Sequence, residues 1–142
     1  MKKVKIKQKT LIDNLLKNGF QVKELSKSPL LFNVNGKLVN VKTKLTFNDK
    51  KHGKEFWFGV YKSVLNKTEY TLIQMVDNNS FLFFTSKFLL ENWSSFYTAN
   101  KSETFRTFMI EWDSSNLVSN KRIDIDNFYC NIEDNEGLIF KI

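Results

Sequence analysis

The chain has 142 residues, 42% of them hydrophobic and 15% aromatic (14 Phe, 3 Trp, 4 Tyr), which suits one packed domain and excludes a disordered chain. A single cysteine, Cys130, excludes a disulfide framework or a cysteine-based zinc site, and no apolar run nears the roughly 20 residues of a membrane span. Net charge is +7 and unevenly placed: residues 1–54 carry +11 and residues 55–142 carry −4, the signature of a polyanion-facing side on an otherwise acidic molecule. The 20 Lys against 2 Arg also fit an AT-rich genome, and part of the lysine excess is ordinary solvation.

The N-terminal MKKVKIKQK alternates apolar residues with lysine and has no continuous apolar stretch, so a signal peptide is not expected and a cytoplasmic location is. A helix is predicted at about 10–18: Thr10 and Asp13 form a capping-box-like start, and Leu11, Ile12, Leu15 and Leu16 form its apolar stripe, with Gly19 as terminator. Phe20, Val22 and Leu25 then alternate as a short strand.

Residues 31–42 hold the sharpest local signal. Asn35-Gly36 is the dipeptide of a type I′ hairpin turn, because both central positions need positive φ. That turn pairs Val34 with Lys37, Asn33 with Leu38, Phe32 with Val39 and Leu31 with Asn40. Alternation then puts Phe32, Val34, Val39, Val41, Thr43, Leu45 and Phe47 on a core face, and Leu31, Asn33, Leu38, Asn40, Lys42 and Lys44 on the other.

A polar loop follows at 48–54. Strands are predicted at 55–61, 69–76 and 81–85, and Ser86 is the expected N-cap of a helix at about 87–97. A strand at 104–112, a short helix or turn near 123–130, and a closing strand in GLIFKI complete the order. It implies an α+β domain with a mixed central β-sheet flanked by helices.

Asn33 and Asn40 lie one diagonal step apart on adjacent strands, with Lys42 next on the same face, and such neighbours can converge on one small ion or water. Two carboxylates and a lysine placed this way would hold Mg²⁺ and activate water for phosphodiester cleavage. The order helix, strand, hairpin, V-x-V-K-T, W-F-G-V strand and Y-x-L-I-Q-M-V strand, followed by FLFFTSKFLLENW, resembles the PD-(D/E)XK nuclease superfamily over about residues 8–97. Its restriction-endonuclease-like and resolvase-like members are the nearest in pattern. The resemblance implies a restriction-endonuclease-like fold in one domain, residues 98–142 forming a C-terminal strand and helix extension.

The same resemblance sets Asn33 at the family's aspartate, Asn40 at its glutamate or glutamine, and Lys42 at its lysine, so the metal site is degenerate. It therefore implies a nucleic-acid-associated protein, on DNA or RNA, without ordinary metal-dependent cleavage. Phosphate contacts are expected from Lys2, Lys3, Lys5, Lys7, Lys9, Lys44, Lys50, Lys51 and Lys54, together with Lys42. Two other readings stay open. One is an active Mg²⁺-dependent endonuclease with a relocated acid, for which Asp13 and Glu24, then Asp49 and Glu55, are candidates. The other is a small phage or mobile-element inhibitor that binds a protein partner. Homodimers fit any of the three.

Other chemistry is sparse. His52 lies in the basic loop KKHGK without an evident partner, and Cys130 reads as a packed residue. Trp57, Phe58 and Tyr61 carry rings suited to stacking on bases, but alternation sends at least half of them inward, and packing is the expected role.

Overall fold

The computed structural model describes residues 16, 19–27, 29–44, 48–50, 53–75, 80–98, 103–111 and 114–131, with backbone alone at 43–44, 48–50, 53–54, 75, 80 and 129–131. Eleven strands run in chain order through these residues: β1 (Val22–Lys27), β2 (Leu30–Val34), β3 (Lys37–Lys44), β4 (Asn48–Lys50), β5 (Gly53–Tyr61), β6 (Tyr70–Met75), β7 (Ser80–Thr85), β8 (Phe105–Glu111), β9 (Asn116–Val118), β10 (Arg122–Asp124) and β11 (Tyr129–Asn131). Two short helices interrupt them, α1 (Lys62–Lys67) after β5 and α2 (Ser86–Glu91) after β7. Of the predicted helix at 10–18 only Leu16 is described, helical and half-exposed, and the rest of it, the closing strand in GLIFKI, and His52 lie outside the described residues.

The hairpin forms in the predicted register. All four cross-strand pairs, from Val34–Lys37 to Leu31–Asn40, are present, and Asn35 and Gly36 adopt φ of 52° and 85°. Asn33 Oδ1 accepts from the Gly36 N–H at 2.9 Å, and Asn35 Oδ1 accepts from the Gln21 N–H at 2.8 Å. The turn is therefore pinned from inside the hairpin and from the segment leading into β1.

Beyond the hairpin the expected fold is corrected. A mixed central sheet flanked by helices, restriction-endonuclease-like, does not form; the described chain is mostly strand and builds two sheets. The first has the order β1-β2-β3-β6-β7-β11, with β3 and β6 parallel and the other pairs antiparallel. The second, fully antiparallel, has the order β10-β9-β8-β5-β4. The stretch expected as a polar loop at 48–54 contributes β4 and the start of β5.

The physical reason lies in β5. Phe56, Phe58 and Val60 share one face and pair with Ile110, Phe108 and Arg106 of β8. This gives an apolar surface that two six-residue helices, each under two turns, could not cover. It packs instead against Ile73, Leu82 and Phe84 of the first sheet, with Leu65, Leu89, Trp93 and Phe96 filling the margin. The opposite face of the first sheet buries Phe32, Val34, Val39, Val41, Leu72, Phe81 and Phe83 with Phe20. So the first sheet is covered on both sides, whereas the second buries its Phe56–Phe58–Val60 side and, on the other, buries Met109, Val118 and Glu111 while leaving Trp57, Tyr61 and Phe105 exposed.

Helix α2 starts one residue earlier than predicted: Thr85 is the N-cap, its Oγ1 accepting from the Phe88 N–H at 3.1 Å. Ser86, expected as the cap, is the first helical residue. Its buried hydroxyl bonds Thr68 Oγ1 at 2.7 Å and Thr71 Oγ1 at 2.9 Å, tying α2 to β6 and the end of α1. No described helix is long and apolar enough to cross a membrane.

Because Gly36 sits at positive φ with open space around its Cα, Gly36→Ala should destabilise through backbone strain alone, by about 1–2 kcal/mol. The midpoint of urea unfolding measures it.

Candidate functional site

The residues singled out on the hairpin do not form an open site. Asn40 is 2% exposed, on the face that meets the inter-sheet core, and its register neighbour is the fully buried Thr71. Its Oδ1 has no hydrogen-bond partner among the described residues. Asn33 is on the same face, but its Oδ1 is committed to the turn. Lys42 is beside Ile73 on that face, part-buried, and burial pulls its ammonium below the usual lysine range.

Glu24 is exposed and pairs with Phe32, so it leaves the sheet on the side opposite Asn40 and Lys42. Lys44, Lys50 and Lys54 fall on β3, β4 and β5, where the backbone alone is described; Cys130 on β11 is in the same position. Lys2, Lys3, Lys5, Lys7, Lys9, Lys51 and Asp13 lie outside the described residues. Among the described residues no group of three His, Cys, Asp or Glu is placed to share an ion.

The outward face of the second sheet carries what the hairpin does not. Pairing across β10, β9, β8 and β5 aligns Arg122, Val118, Met109 and Trp57 in one row. The next row toward the end of β5 is Tyr97, Thr107 and Gly59, and the last is Phe105 and Tyr61. On the other side of the Trp57 row come Asp124, Asn116, Glu111 and Glu55.

Four rings thus gather on this face, in two pairs. Trp57 and Tyr97 have centroids 5.8 Å apart, and Tyr61 and Phe105 have centroids 4.8 Å apart. Trp57, Tyr61 and Phe105 remain 39%, 51% and 36% exposed, high values for rings of this size and adjacent to one another. Gly59 makes the surface level: a Cβ there would come 2.2 Å from the Phe105 ring, which lies across the bare glycine. Phe58, on the other side of the strand, is buried, so alternation divides the three aromatics of 57–61 as one inside and two outside.

The polar row is held more rigidly. Glu111 is 2% exposed and accepts from both Nη1 and Nη2 of Arg122, and from the Ser114 hydroxyl at 2.9 Å. Hydrogen bonding to Glu111, then its charge, holds the Arg122 guanidinium further above its usual range. Glu55 is directly across the strand from Glu111. Tyr97 Oη donates to the Ser119 carbonyl, fixing the ring to the β9–β10 turn, where Lys121 is exposed. Lys62, also exposed, follows Tyr61, but its Nζ lies 6.0 Å from the ring centroid of the core residue Trp93.

Comparison with protein-family models, curated proteins and solved structures returned no match. The face is read from its own chemistry: aromatic planes exposed on a rigid sheet, the Lys121 cation at one margin, and a carboxylate row along one side. Such a surface can stack flat rings and hydrogen-bond their edges. Sequence reasoning missed Tyr97 and Phe105, because their proximity to Trp57 and Tyr61 arises from the pairing of distant strands.

Lys42 gives a test of the hairpin's environment. Its depressed pKa means that, as pH rises toward 10.5, the unfolded chain holds a proton the native state has released, so stability increases there; at lower pH the buried charge is a cost. Lys42→Met should therefore raise the melting temperature near neutrality. The difference from the native chain should shrink as pH approaches 10.5 in parallel thermal melts.

Proposed function

We propose that this protein binds single-stranded nucleic acid through the outward face of the second sheet and is not a metal-dependent nuclease. The exposed ring pairs Trp57–Tyr97 and Tyr61–Phe105 carry this reading. Every base offers a π-face, but only unpaired strands leave those faces free to stack on side chains. The +7 net charge supplies the general attraction to phosphate, with Lys121 exposed on the β9–β10 turn that holds Tyr97.

The hairpin geometry favours binding over cleavage. Asn33 Oδ1 is taken by the turn and Asn40 is buried, so neither amide is set to take a hydrated Mg²⁺ at a phosphodiester. Lysine-rich segments before β5 add charge without sequence readout, which accords with general affinity for a polyanion.

Fluorescence anisotropy with labelled single-stranded DNA, RNA and duplex DNA tests the reading. Single strands should bind more tightly than duplex, and the affinity should fall as salt rises. Trp57→Ala removes one stacking surface and should weaken single-strand binding about 5- to 150-fold while leaving the duplex interaction nearly unchanged. Duplex preference, or single-strand binding unaltered by that substitution, contradicts the proposal. Capture of a protein partner with no affinity for either nucleic acid would support the inhibitor reading instead.

A further inference from the structure

Glu55 stands two residues before Trp57 on β5, so both side chains leave the same face, about 6.7 Å apart along the strand. A base lying flat on the Trp57 indole has one edge directed at the row that holds Glu55, Glu111 and Asn116. Glu111 is not available to that edge, since Arg122 and Ser114 occupy its oxygens. Glu55 has no hydrogen-bond or ion-pair partner among the described residues and is half-buried beside the indole. It is therefore the carboxylate of this row left to accept hydrogen bonds from a ligand lying on Trp57.

A carboxylate accepts through two oxygens and donates through neither, and it pairs best with two parallel N–H donors. Guanine alone among the common bases presents two adjacent donors, N1–H and the 2-amino group, on its Watson–Crick edge. Cytosine and adenine each present one amino group beside a ring nitrogen acceptor. Thymine and uracil present one N–H between two carbonyls, whose oxygens a carboxylate repels.

We propose that Trp57 and Glu55 form a guanine subsite, the indole stacking on the base and the carboxylate accepting from N1–H and the 2-amino group. The subsite rests on the single-strand reading above and adds base selection to it. The charge pattern agrees with this placement. Glu55 and Asp124 make the polar row unfavourable for phosphates. The backbone of the bound strand is thereby directed away from the row that reads the base edge.

The test uses the full chain and oligothymidines carrying one central guanosine, inosine, adenosine or cytidine, with an all-thymidine control, measured by anisotropy. The native protein should bind the guanosine oligomer about tenfold or more tightly than the control. Inosine, which lacks the 2-amino group, should fall between. Glu55→Gln keeps the shape but replaces one acceptor with a donor, and should remove the preference without lowering affinity for the all-thymidine strand, from which a repulsive charge has been taken away. Glu55→Ala should do the same, and the retained control affinity reports that the fold is intact.

Equal binding of all five oligomers by the native protein overturns the guanine subsite and leaves the single-strand reading standing. A guanosine preference that survives both substitutions also overturns it. Failure to bind any of the oligomers overturns the subsite together with the reading on which it rests.

Discussion

The contact on which the molecule depends is the burial of β5 and β8 against β6 and β7. Phe56, Phe58, Phe108 and Ile110 on one sheet meet Ile73, Leu82 and Phe84 on the other, and all seven are 5% exposed or less. Side chains alternate strictly along a strand, so fixing Phe56, Phe58 and Val60 inward fixes Glu55, Trp57, Gly59 and Tyr61 outward. The outward face is therefore held by the core. Its rings stand on paired backbone rather than on a loop, which limits the conformational entropy lost when a ligand binds.

That contact also explains why the hairpin face differs from the surface its sequence suggests. Once β3 pairs in parallel with β6, Asn40 and Lys42 join the side of the first sheet that faces the second. Asn40 is buried with Oδ1 unpartnered among the described residues, and Lys42 loses part of its hydration. Both are costs, offset by the apolar burial around them. On the outer face, by contrast, the buried Glu111 carboxylate is compensated by a two-pronged bond to the half-exposed Arg122. The second sheet meets its electrostatic demand with a side chain that stays at the surface.

How much was readable from sequence follows the range of each interaction. The Asn35-Gly36 turn and its four strand pairs are local, and residue chemistry determines them directly. The existence of β5, β6, β7 and β8 was readable from apolar alternation. Their partition into two sheets was not, because pairing Phe56 with Ile110 or Val39 with Tyr70 depends on contacts between distant segments. Helix α1 was missed because KSVLNK is short and its N-cap, Tyr61, makes no side-chain capping bond. The candidate site was half-readable: Trp57 and Tyr61 must share a face opposite Phe58, but nothing local tells which face is buried, or that Tyr97 and Phe105 come to lie beside them. Asn33, Asn40 and Lys42, which carry the resemblance to nucleases, are surrounded by a turn and a core.

The central claim, that the outward face of the second sheet is the binding surface, is tested most directly by photocrosslinking. A single-stranded oligonucleotide bearing bromodeoxyuridine, irradiated on the native protein and mapped by peptide mass spectrometry, should crosslink at Trp57, Tyr61, Tyr97 or Phe105. Crosslinks confined to the 31–42 hairpin, with none on these four rings, would contradict the account.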